Sequence, residues 1–147
     1  MELHEGKFSG TDPEIRFNKL MAAKDFLETI SRKLQSNPKL LYVSKKRAKN
    51  QFFANDYHIL DKDYIPMLSQ LTPWDCIDVS PNTRPDYPKV LTFEFRKKYY
   101  GLEYYGEPVE AVDVYIKLYI NYDPSYQNCD PAYAYGNVVV ISFHENE

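Results

Sequence analysis

The chain is poor in the residues that build metal and redox centres. It has only two cysteines, Cys76 and Cys129, and their positions match no metal-ligand or redox spacing. Nothing in the sequence resembles a disulfide framework. There is no HExxH and no paired His/Asp ligand spacing, and His4 and His58 lack neighbours that suggest a ligand set. No metal and no cofactor are therefore expected. No apolar run approaches the roughly 20 residues of a membrane span, so no membrane association is expected. The first residues, MELHEGKFSGTDPE, are acidic and polar, with no visible signal peptide. The expected compartment is a reduced cytoplasm.

Positive charge is not in surplus either. Eighteen Lys and Arg face 21 Asp and Glu, for a net charge of −3. Wholesale basic attraction to nucleic acid is excluded, whereas a local basic patch is not. Aromatic side chains are abundant instead: 14 Tyr, 8 Phe and 1 Trp in 147 residues. Most tyrosines can cover a core with the polar tip outward, and an exposed few can stack on bases or partners. The length fits one domain, residues 1–147, with a core of its own.

Periodicity divides the chain. Residues 12–80 read as mainly helical and 88–144 as mainly strands, which argues an α+β fold. Thr11 or Asp12 caps a first helix with Pro13 in its first turn, and Phe17, Leu20, Met21, Leu27, Ile30 and Leu34 recur at helical spacing. KLLYV is a short strand or an extended link. Ser44 is placed to cap a helix through KKRAKNQFF, whose Lys45, Lys46, Arg47 and Lys49 form the one dense basic cluster; a solvated helix face is its plain meaning. DKDYIPMLSQL is a short helix. In LTPWDCIDV, Thr72, Pro73 and Asp75 form another helix-start signal, and SPNTRPDYP is irregular.

Three strands complete the chain. KVLTFEFRKKYY sets Leu91, Phe93 and Phe95 against Thr92, Glu94, Arg96 and Lys98. AVDVYIKLYINYD sets Val112, Val114, Ile116, Leu118 and Ile120 against Asp113, Tyr115, Lys117, Tyr119 and Asn121. After a long polar loop at 122–136, VVVISFH puts Val139, Ile141 and Phe143 on one face and Val138, Val140, Ser142 and His144 on the other. The economical architecture is N-terminal helices packed on one face of a small antiparallel sheet.

The order of LLYVSKKRAKNQFF, MLSQLTPWDCIDV, VDVYIKLYI and NVVVISFHENE resembles the MqsR-type toxins of bacterial toxin–antitoxin systems. These are metal-independent messenger-RNA endonucleases with a RelE-like α+β fold. The resemblance covers roughly residues 40–147 and implies an RNA substrate, a cognate antitoxin protein and, for a ribosome-dependent member, the ribosome as partners. It sets Tyr115 at the family's cleavage-site tyrosine, Lys117 at the lysine of the same strand and His144 at the near-terminal catalytic lysine. Asp78 aligns near a family lysine and reverses its charge, and the loop at 122–136 is a further departure.

Metal-free cleavage of RNA needs a base for the 2′-hydroxyl, an acid for the leaving 5′-oxygen and cations for the phosphate. His144 is a natural proton carrier near neutrality. Arg96 can fork a phosphate, Tyr115 can stack or donate, and Lys117, Glu94 and Lys98 complete the expected substrate-facing set. The plain alternatives are a solvated His144 and an ordinary row of cross-strand charges. Ser142 has no nucleophile context and reads as filler at the edge of the core. A non-enzymatic protein-binding or regulatory role on the same fold is the competing function.

Overall fold

The computed structural model describes residues 8, 10, 12–126 and 130–146. Thr11, His4 and Cys129 lie outside the described residues. Helix α1 spans Pro13–Ser36. Asp12 caps it, its Oδ1 accepting from the N–H groups of Glu14 at 2.9 Å and Ile15 at 3.3 Å. The buried stripe is Ala23, Phe26, Ile30 and Leu34. Phe17 (60% exposed) and Met21 face outward, contrary to the expected stripe. Both sets satisfy helical spacing, and the close approach decides between them. Ala23 has no exposed surface, and the Phe26 ring stacks on Phe93 with centroids 3.8 Å apart.

The sheet is mixed and five-stranded, wider than the three antiparallel strands expected. Its strands are β1 (Leu41–Val43), β2 (Cys76–Pro81), β3 (Leu91–Tyr99), β6 (Val112–Ile120) and β7 (Val138–Glu145), in the order β1-β7-β6-β3-β2. Strand β1 runs parallel to β7, and the other neighbours are antiparallel. A separate two-stranded hairpin, β4 (Glu103–Tyr104) with β5 (Glu107–Pro108), turns through Tyr105 and Gly106, both at positive φ. The helix-start signal at Thr72 is real but brief. The Thr72 N–H donates to Asp75 Oδ2 at 2.8 Å around a single 3-10 turn, Pro73–Asp75, and the chain then enters β2. Local capping chemistry specifies the turn, and pairing with β3 draws the chain out of it into a strand.

Helices α2 (Ala48–Asp56) and α3 (Tyr64–Ser69) join α1 on one face of the sheet. Phe53, Met67 and Leu68 share a core with Phe26, Phe95, Val114, Ile116 and Phe143. Ser44 does not cap α2. It is buried and prolongs β1, its N–H donating to Val140 O at 2.9 Å, and α2 starts later, after Arg47.

The face assignment expected for β7 is overturned by a bulge. Lys117 pairs with Ser142 and Leu118 with Val140, which leaves Ile141 as the extra residue. Val138 and Val140 therefore join Phe143 in the core, and Val139 and Ile141 pack on the opposite side with Val90 and Tyr119. Buried Asn50 takes up the backbone groups at the bulge. Its Nδ2 donates to Ile141 O at 2.9 Å and Ser44 O at 2.8 Å, and its Oδ1 accepts from the Phe143 N–H at 2.9 Å. The side-chain amide thus occupies the edge of β7 where β1 has ended, and it fixes the start of α2 beside the sheet.

Candidate functional site

The face of the sheet opposite the helices carries every polar residue singled out on β3, β6 and the end of β7. Alternation on β6 holds as expected: Val112, Val114, Ile116, Leu118 and Ile120 are buried in the core, and Asp113, Tyr115 and Lys117 are half-buried on the outer face. Register then builds rows across the strands. Arg96, Tyr115 and His144 are direct neighbours on β3, β6 and β7. Asp78, Glu94, Lys117 and Ser142 form the next row, on four strands. Lys98 stands opposite Asp113 in a third.

Within the first row the Tyr115 and His144 rings lie 5.4 Å apart by centroid. His144 Nδ1 is 3.0 Å from the Glu145 carbonyl oxygen. A carbonyl only accepts, so this bond requires the proton on Nδ1 and leaves Nε2 of the neutral ring as an acceptor. The strand end carrying His144 is itself held. The Asn146 N–H donates to Asp113 O at 2.7 Å, and the Tyr57 hydroxyl donates to Glu145 Oε1 at 3.2 Å. Burial, aided by that carboxylate, pushes the Tyr57 phenol up to about 12.

The Tyr115 hydroxyl donates to Glu94 Oε1. Burial first, and then the Glu94 charge, push its phenol well above the ordinary tyrosine range. Tyr115 is therefore a neutral donor and unsuited to act as a base. Arg96 is also engaged: its Nη2 and Nε both donate to Asp113 Oδ2, at 2.6 and 3.0 Å. That bond holds the Asp113 carboxyl below the usual aspartate range. Asp78, in the position of reversed charge, pairs with Lys19 of α1 at 3.3 Å.

The basic cluster of residues 45–49 does not act as one patch. Lys45 pairs with Asp61 at 2.7 Å and Lys46 with Asp130 at 4.0 Å. Arg47 instead turns toward the outer face, where its charge is felt by Tyr115. There it lines a polar cleft of about 360 Å³ together with Lys117, Arg84, Thr92 and Tyr87. Among the described residues Arg47, Arg84 and Lys117 have no carboxylate partner within ion-pair distance. Sequence reading placed Arg47 only within its cluster and gave Arg84, amid turn formers, no role. The only available signal was a lone arginine in a segment otherwise built for turning.

An apolar groove of about 540 Å³ lies on the helix side, lined by Phe26, Phe93, Ile120 and Tyr122, and offers no comparable set of charges. Among the described residues no three His, Cys, Asp or Glu are grouped to hold a metal ion, and no helix is long and apolar enough to cross a membrane. The outer face thus offers an imidazole, a phenol bonded to Glu94 and a cleft with three cations. Compared with known proteins, the chain matches no family model, no curated protein and no solved structure.

Proposed function

We propose that the chain is a metal-independent endoribonuclease that cuts messenger RNA from the outer face of its sheet. This is the activity implied by the MqsR-like resemblance and its RelE-like fold. The observation that carries the reading is the row Arg96–Tyr115–His144 beside a cleft holding three cations that have no carboxylate partner among the described residues.

In the reaction, His144 Nε2 takes the proton of a ribose 2′-hydroxyl. The 2′-oxygen attacks the adjacent phosphorus, and the bond from phosphorus to the 5′-oxygen breaks. The products are a 2′,3′-cyclic phosphate and a 5′-hydroxyl. Tyr115, kept neutral by burial and Glu94, stands beside the base, and it protonates the leaving oxygen once its bond to Glu94 is exchanged for one to substrate. Arg96, once its bonds to Asp113 are exchanged for substrate, neutralises charge developing on the phosphate, with Lys117, Glu94 and Lys98 flanking it. A cognate antitoxin covers this face or holds the protein inactive.

The test is incubation of a long unstructured RNA with the protein in EDTA, comparing wild type with His144→Ala and Tyr115→Phe. Discrete cuts lost in both variants support the reading. An uncut RNA, with and without translating ribosomes, overturns it.

A second reading, a non-enzymatic binding protein, has its own observation. Trp74 (81% exposed) and Ile77 stand uncovered at β2, an edge strand of the sheet. A stable stoichiometric complex that Trp74→Ala abolishes, from a protein inert toward RNA, would favour it.

A further inference from the structure

The cleft bearing Arg47, Arg84 and Lys117 is distinct from the row that holds His144. It is built from well-separated parts of the chain. Arg47 comes from the start of α2, and Lys117 and Thr92 rise from the sheet. Ser80, Asn82, Thr83, Arg84 and Tyr87 come from the end of β2 and the loop beyond it. The Arg84 guanidinium carbon sits 5.6 Å from the centre of the Tyr87 ring, which braces the cation over an aromatic face. Arg47 stands at the N-cap of α2, and its side chain lines the cleft.

The lining is chemically one-sided. Its charged residues are all cationic, and its remaining polar residues are hydroxyls and one amide. Such a set recognises an anion that also presents donors and acceptors, which is the description of a phosphate on a sugar. A volume of about 360 Å³ suits one small ligand and not a helical rod. Lys117 is the next outward residue after Tyr115 on β6, a step of about 7 Å along the strand.

We infer that this cleft is a nucleotide subsite, taking the phosphate and ribose of the residue adjoining the bond to be cut in single-stranded RNA. The inference rests on the endoribonuclease reading for its place in a longer substrate, but binding of the nucleotide itself does not require cleavage. Arg47 and Lys117 hold the phosphate, and Arg84, fixed on Tyr87, closes over it from the loop.

The experiment uses the full chain and mononucleotides as probes. Uridine and adenosine 3′-monophosphate are titrated calorimetrically, with inorganic phosphate as a third probe. The variants are Arg47→Ala, Arg84→Ala and, as a control on the opposite face, Lys24→Ala. The expected result is saturable nucleotide binding that is about tenfold weaker in each arginine variant, as for loss of one charge-assisted contact, and unchanged in Lys24→Ala. Inorganic phosphate is expected to bind more weakly than either nucleotide. Absence of saturable binding, or binding indifferent to both arginines, overturns the subsite. Phosphate binding as tightly as the nucleotides overturns the nucleotide assignment. Nucleotide binding that depends on Arg84, in a protein that leaves RNA intact, would sink the nuclease and keep the subsite; cleavage of RNA by a wild-type protein that shows no saturable nucleotide binding would do the reverse.

Discussion

Arg96 and Asp113 are locked together across β3 and β6, with two guanidinium nitrogens on a single carboxylate oxygen at 2.6 and 3.0 Å. The cation that the sequence offers to a phosphate is thus already neutralised in the free protein. Asp113→Asn should release it, tightening RNA binding and steepening its dependence on salt, as one more phosphate contact would. Fluorescence anisotropy at several salt concentrations reads both effects. Stability should change little, because the pair is largely solvent-screened.

The same pair responds to acid. Asp113 is held below the usual aspartate range by its bond to Arg96. A depressed carboxyl contributes stability that is fully present above the ordinary aspartate range and is lost as pH falls through the depressed value. Wild type should lose more stability than Asp113→Asn over that acidic window. Urea unfolding at a series of pH values checks the difference.

Asn50 is the residue on which the placement of α2 rests. Asn50→Ala removes two donated bonds and one accepted bond, leaving Ile141 O and the Phe143 N–H without their partner in a buried setting. The expected cost is about 3 kcal/mol, read by chemical denaturation. Asn50→Asp keeps an acceptor for Phe143 but loses both donors and buries a charge, so it should be no better tolerated.

Cys76 should be slow to react. Burial pushes its thiol up to about 11, so the thiolate that attacks alkylating reagents is scarce at neutral pH. In a Cys129→Ser background, maleimide labelling of Cys76 should be at least about tenfold faster in denaturant than in the native protein. Equal rates would contradict the burial that sets its value.

Tyr115 should stay protonated well into alkali. Its phenol is raised by burial before Glu94 is counted, so Glu94→Gln should lower the value without returning it to the ordinary range. A raised phenol contributes stability that is full below the ordinary tyrosine range and is lost as pH rises through the raised value. The absorbance change of tyrosinate formation, taken as the difference between wild type and Tyr115→Phe, measures it.

How much was legible beforehand depended on whether a signal was local. The alternation on β6 marked its two faces correctly because period two is a property of one strand. The cap at Asp12 and the turn at Thr72 were readable for the same reason. The bulge at Ile141 was not, because VVVISFH is apolar on both sides and a one-residue slip leaves no trace in such a run. Strand β2 was hidden behind a genuine capping signal whose helix ended after one turn. Arg84 was invisible because its role depends on Lys117, 33 positions away in the chain, and on a loop that folds over the sheet.

The central claim is that the outer face cuts RNA without a metal and that His144 is its base. The most direct measurement is the cleavage rate of a long unstructured RNA in EDTA by wild type and His144→Ala, with product ends identified. The account predicts 2′,3′-cyclic phosphate and 5′-hydroxyl ends, and a rate at least about a hundredfold lower in the variant. Intact RNA with wild type, alone and with translating ribosomes, or an unchanged rate in His144→Ala, would contradict it.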